Sequence, residues 1–223
     1  MKIIITIILF SLISCKKEIT SQVYSTEKND SEEISIKFPT LSDWKELYSD
    51  PLIKERFDKN AHNGSNILAV YLTNEIANRK DNLGDFDNYS LFFTLSHEQK
   101  WKIKNTDLKR IFNIQIKKAS IDILDQNEAI RKAYSDSTFI TPENPYILKV
   151  YQDYQNVYSS IQLIKPFSDD HEYIVIYVYN LINIENHLIY GGYYLNFNGN
   201  ESIKKAIENN DILISEFIKL NKK

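Results

Sequence analysis

The chain has 223 residues, 43% hydrophobic and 26% charged, with a formal net charge of −3. That length and composition fit one globular domain with a sizeable core and exclude a disordered chain. The weak negative charge offers no electrostatic footprint for nucleic acid or anionic lipid, and a single cysteine excludes a disulfide within the molecule.

Lys2 and the apolar run Ile3 to Ile13, interrupted only by Thr6 and Ser11, have the layout of a secretory signal. The run falls short of the about 20 apolar residues that a spanning helix needs. It ends in Leu12-Ile13-Ser14-Cys15, and the charged Lys16-Lys17-Glu18 follows at once. These residues resemble the lipobox of bacterial lipoproteins. The resemblance implies removal of residues 1–14 and acylation of Cys15. With Lys16 and not an aspartate behind the cysteine, it also implies delivery to the outer membrane, on its periplasmic face or at the cell surface. Two or more acyl chains hold a protein on a membrane durably, whereas one binds reversibly. Residues 15–33 are polar and read as a flexible tether, and 34–223 read as a single domain.

Within that domain, Ile34 to Phe38 alternates at period two before Pro39 and predicts a strand, after which a turn folds Trp44 back onto the core. Asp50-Pro51 starts a helix with Leu52, Ile53 and Phe57 on its apolar face, and Asn63-Gly64 ends it. Ile67 to Leu72 reads as a buried central strand, and Tyr89 to Leu95 as another. Ser96 to Gln99 has the spacing of a capping box, but the apolar periodicity after it is poor. A helix begins near Thr106 with Leu108, Ile111 and Phe112 on one face; the stripe Ile123, Leu124, Ile130 and Tyr134 either continues it or forms a second helix.

Three β-rich runs follow, Tyr158 to Lys165, Tyr173 to Ile184 and His187 to Phe197, with connections short enough for antiparallel hairpins. The middle run sets Ile174, Ile176, Val178 and Asn180 on one face and Tyr173, Val175, Tyr177, Tyr179 and Leu181 on the other. Both faces are largely apolar, which predicts a sheet covered on both sides. Glu201 to Leu220, apolar near helical spacing, is the cover for one of them.

The expected class is therefore α+β: a layered α/β/α sandwich around a mostly antiparallel sheet, with a C-terminal three-stranded meander and a closing helix. This order, with Phe38-Pro39 and Trp44 early, the strand over 67–72, a midchain helix and the late meander, resembles the Mog1/PsbP-like α/β/α fold over 34–220. The resemblance implies a small binding or assembly factor and carries over no catalytic residues.

Catalytic signatures are sparse. None of the four histidines, His62, His97, His171 and His187, has the i, i+4 partner of a helical zinc site, and His97-Glu98-Gln99-Lys100-Trp101 lacks the second histidine of HExxH. Asp169-Asp170-His171-Glu172 reads as a solvated turn, and Asp81 to Asn88 offers oxygen ligands suited to calcium without EF-hand spacing. No catalytic residue, metal or cofactor is assigned. Gly191-Gly192, inside a strand, marks a bulge or close packing. Fifteen tyrosines stand out. Tyr177, Tyr179, Tyr190, Tyr193 and Tyr194 form a candidate ligand surface, although strand preference alone also accounts for tyrosine here. The expected function is a lipid-anchored, non-enzymatic envelope protein that binds a protein partner. The second reading is a surface lipoprotein that binds or hydrolyses glycans on its tyrosines.

Overall fold

The computed structural model describes residues 21–24, 34–79, 86–99, 101–119, 123–136, 140–165 and 173–222, with 21–24 and 118–119 described by backbone alone. In chain order these form β1 (Ser21–Tyr24), β2 (Ile34–Lys37), β3 (Trp44–Glu46), α1 (Pro51–Asn60), β4 (Ser65–Thr73), α2 (Asn74–Ala77) and β5 (Asn88–Leu95). After a 3-10 turn at Ser96–Glu98 come α3 (Asn105–Ala119), α4 (Gln126–Ser135), β6 (Tyr146–Tyr154), β7 (Val157–Ile164), β8 (Val175–Ile184), β9 (His187–Asn196) and α5 (Asn200–Asn221). Cys15, Asp81–Asp85 and Asp169–Glu172 lie outside the described residues.

Seven strands make one sheet in the order β3-β4-β5-β9-β8-β7-β6, and every neighbouring pair is antiparallel. Helices pack on both faces, so the fold is the α+β sandwich expected. The meander has four strands and not three, because Tyr146–Tyr154 pairs with β7. Its register shifts between Ile147 and Lys149 and again between Tyr151 and Tyr154. Each shift breaks the two-residue alternation by which a strand is read. The β8–β9 hairpin closes through Glu185 and Asn186, both at positive φ (49° and 68°), the backbone of a tight two-residue turn.

Several local expectations are corrected. Within the expected tether, Ser21–Tyr24 pairs antiparallel with β2. Ile67–Leu72 falls in β4, covered on both faces but second from the sheet edge and not central. Asp50 caps α1, accepting the Leu52 N–H at 2.9 Å, yet Leu52 is 59% exposed and only Ile53 of the expected face is buried, with Phe57 half-buried. Ser96 caps no α-helix, since the segment closes after one 3-10 turn. The midchain region holds two helices, and of the stripe only Ile130 and Tyr134 fall in α4, while Ile123 bridges Ile147 ahead of it. Asp125 caps α4, and it is the small Ala129 and Ala133 that α4 buries, while Ile123 and Tyr134 stay exposed.

The two faces are covered unequally. On one, the 22-residue α5, α4 and the end of β2 lie against Ile161, Leu163, Ile176, Val178, Ile182 and Phe92. A buried polar contact sits in that layer: Asn180 Nδ2 donates to Asn210 Oδ1 at 2.7 Å, and Ser159 Oγ donates to Asn180 Oδ1 at 2.7 Å. Paired buried amides lose little on folding and penalise any other register of α5 on the sheet. Next to them, Tyr151 donates to Asp211 at 3.1 Å, and burial holds the Asp211 carboxyl above the usual carboxylate range. Among the described residues the other face carries three shorter helices, the 10-residue α1 and the four-residue α2 near β4 and β5 and the 15-residue α3 near β7 and β8. Between α1 and α3 lies the site.

Candidate functional site: an aromatic cavity

Strand pairing sets the floor. Tyr89 of β5 stands opposite Tyr194 of β9, Tyr194 opposite Tyr177 of β8, and Tyr177 opposite Gln162 of β7, so that one row crosses four strands. Tyr194 stacks on both neighbours, its ring centroid 4.6 Å from that of Tyr89 (11° between planes) and 4.6 Å from that of Tyr177 (18°). Aromatic pairs across strands stabilise a sheet beyond their buried area.

The next row on the same face holds Leu91, Gly192 and Tyr179. A Cβ at Gly192 would stand 2.9 Å from Tyr194 Cε2 and 3.0 Å from Tyr177 Cε2, closer than such atoms approach. The two rings therefore lie down over this glycine, and the reading of Gly191-Gly192 as close packing holds at Gly192. One row further, Phe93 stacks on Tyr190 with centroids 5.1 Å apart.

Above this floor is a cavity of about 1040 Å³, walled by Arg56 and Phe57 of α1 and by Gln115 and Ile116 of α3. The volume stands at the upper end of the range of roughly 300–1,000 Å³ found for small-molecule pockets. Arg56 lies over the Phe86 ring, its guanidinium carbon 4.0 Å from the centroid, and presents a cation–π face on the wall. Glu143 and His62 also line the cavity, both on exposed residues.

The polar tips of the floor are tied to one another. Tyr179 Oη donates to Gln115 Oε1 at 2.6 Å, Gln115 Nε2 donates to Tyr190 Oη at 3.1 Å, and Tyr190 Oη donates to the buried Glu98 carboxylate of the 3-10 turn. Burial pushes the phenols of Tyr89, Tyr177, Tyr179, Tyr190 and Tyr194 well above the usual tyrosine range, and the Glu98 hydrogen bond pushes Tyr190 further in the same direction. All five stay neutral at physiological pH. They serve as apolar surface and as hydrogen-bond donors, not as bases or nucleophiles.

Four of the five candidate tyrosines, Tyr177, Tyr179, Tyr190 and Tyr194, thus line one cavity. Tyr193 does not: side chains alternate along β9, and it points into the α5 layer at 1% exposure. There its hydroxyl donates to Asn88 at 2.6 Å and accepts from Asn209 at 2.9 Å, its ring meets Trp44 edge-on at 5.6 Å, and burial pushes its phenol up to about 12. Phe57, Tyr89, Gln115 and Gln162 were not among the candidates. Gln162 alone carried a visible signal, a lone amide within the apolar run of β7. Of the described histidines His62 lines the cavity and His97 and His187 do not, and among the described residues no group of three or more His, Cys, Asp or Glu side chains is placed to hold a metal ion.

Fold and site together define a class: an α+β domain on a seven-stranded antiparallel sheet, with an aromatic-floored cavity between two short helices. No family model matches the chain, and neither a curated protein nor a solved structure matches it.

Proposed function

We infer that this protein is a non-catalytic binding protein of the bacterial envelope that takes a small, largely apolar molecule into the cavity between α1 and α3. The observation that carries the reading is the cavity itself, about 1040 Å³ over a continuous floor of stacked, neutral tyrosines. A concave apolar site of that size favours a small molecule over a protein surface. It also favours an apolar ligand over a glycan, because a sugar needs many hydrogen-bond partners and the phenols of Tyr179 and Tyr190 are already engaged with Gln115 and Glu98.

The lipobox-like Leu12-Ile13-Ser14-Cys15 supplies the place of action, the outer membrane, with the domain held there by lipid on Cys15. Labelling with a tagged palmitate tests the anchor. The wild-type protein is expected to take up label and Cys15→Ser none; equal labelling of the two would count against it.

The ligand reading is tested on Cys15→Ser protein made without residues 1–14, which has neither the apolar signal nor an acylation site and needs no detergent. N-phenyl-1-naphthylamine should bind saturably with a micromolar dissociation constant, followed by its fluorescence. Ile116→Trp, which fills the cavity from the α3 wall, should weaken binding by roughly tenfold or more, about 1.4 kcal/mol. Unchanged affinity in a folded Ile116→Trp variant would sink the assignment to this cavity.

A further inference from the structure

The tyrosine floor turns edges, not faces, to the cavity. Tyr89, Tyr194 and Tyr177 stack across neighbouring strands at 4.6 Å with 11° and 18° between planes, so the faces between them are covered by one another. Such a stack presents ring C–H groups, the positive rim of the aromatic quadrupole. That rim opposes a cation and accommodates an anion.

Charge on the wall is segregated. Arg56 is half-buried on α1 with its guanidinium carbon 4.0 Å from the Phe86 centroid, and both side chains line the cavity. Phe86 stacks in turn on Phe57, with centroids 5.8 Å apart and 14° between planes, so the guanidinium rests against a ring that the wall itself holds. Glu143 lines the cavity from the segment ahead of the edge strand β6. Burial raises the phenols of the row, and among the smaller influences Arg56 lowers that of Tyr89 while Glu143 raises those of Tyr177 and Tyr194. The cation thus stands at the β5 end of the row and the carboxylate at the β8 end. From β5 to β7 the sheet runs three strand spacings, roughly 14 Å at about 4.8 Å each.

Resting on the ligand-binding reading above, we propose that the cavity takes an amphipathic monocarboxylate, whose head pairs with the Arg56 guanidinium at the β5 end and whose apolar tail crosses the tyrosine edges toward β7. A guanidinium carries several N–H donors in a rigid fork matched to a carboxylate, so a neighbour within the protein does not exhaust it. Glu143 repels a second carboxylate at the far end, which restricts the class to one charge.

Decanoate, decanol and decylammonium share a chain and differ in the charge of the head. Calorimetric titration of Cys15→Ser protein made without residues 1–14, at neutral pH, should give decanoate tighter binding than either of the others by roughly tenfold, the worth of a charge-assisted hydrogen bond. In Arg56→Gln the advantage over decanol should vanish. If that variant does not fold, nuclear Overhauser contacts to the Phe86 ring decide: contacts from the decanoate α-methylene support the orientation, and contacts from its terminal methyl overturn it. Equal affinities, tighter decanol or decylammonium, or a decanoate preference kept in folded Arg56→Gln overturns the carboxylate assignment. So does failure of all three compounds while N-phenyl-1-naphthylamine still binds, and in each of these cases the cavity reading stands. Failure of all four overturns the cavity reading, and this inference with it.

Discussion

Phe217→Ala is expected to lower the free energy of unfolding by about 3–5 kcal/mol, a large share of the stability of a single domain. Phe217 is fully buried on α5, its ring 4.6 Å from Phe92 of the sheet and 5.6 Å from Phe38 at the end of β2. Truncation removes the transfer energy of the ring and leaves a hole lined on three sides by groups fixed in different elements, so collapse cannot fill it. Urea unfolding followed by circular dichroism checks the value. Lys219→Ala, which removes the exposed pair with Glu216 two residues on, should leave the unfolding midpoint at the wild-type value. A Phe217→Ala loss as small as that of the control would mean that α5 does not hold the sheet through this cluster.

Gly192→Val is expected to abolish probe binding and to destabilise the fold by about 1–3 kcal/mol. Even a single Cβ would come within 3.0 Å of both Tyr177 and Tyr194, and the two valine methyls extend further into the rings. Rings displaced from Gly192 must rise into the cavity, and the stack with Tyr89 must open. Gly191 is the matched control. It faces the α5 layer, where a Cβ would find Asn180 and Ile214 no closer than 3.4 Å, so Gly191→Ala should keep the affinity for N-phenyl-1-naphthylamine. Wild-type affinity in folded Gly192→Val would show that the tyrosine floor does not shape the ligand site.

Residue chemistry alone anticipated the α+β class, the β7–β8–β9 hairpins, the Asp50 cap, the Glu185-Asn186 turn and α5 as the cover of one sheet face. Each of these is written in neighbours close along the chain. Alternation at period two divides β8 into a face of Ile176, Val178 and Asn180 and a face of Val175, Tyr177 and Tyr179, and a cap or tight turn needs no more than four residues. β6 escaped because two register shifts put its pattern YILKVYQDY out of phase with itself.

Residue chemistry singled out Tyr177, Tyr179, Tyr190 and Tyr194, and tertiary structure decided how they meet. Tyr89, Tyr194, Tyr177 and Gln162 become one row only through the registers of β5, β9, β8 and β7, and register depends on which strands pair and on the residue at which each pair begins. A shift of one residue in β9 would have brought Tyr193 to the cavity and sent Tyr194 to α5. The cavity needed a further condition that no single stretch of sequence carries: on one sheet face α5 runs 22 residues, while on the other α1 and α3 leave the ground between them to tyrosine rings lying over a glycine.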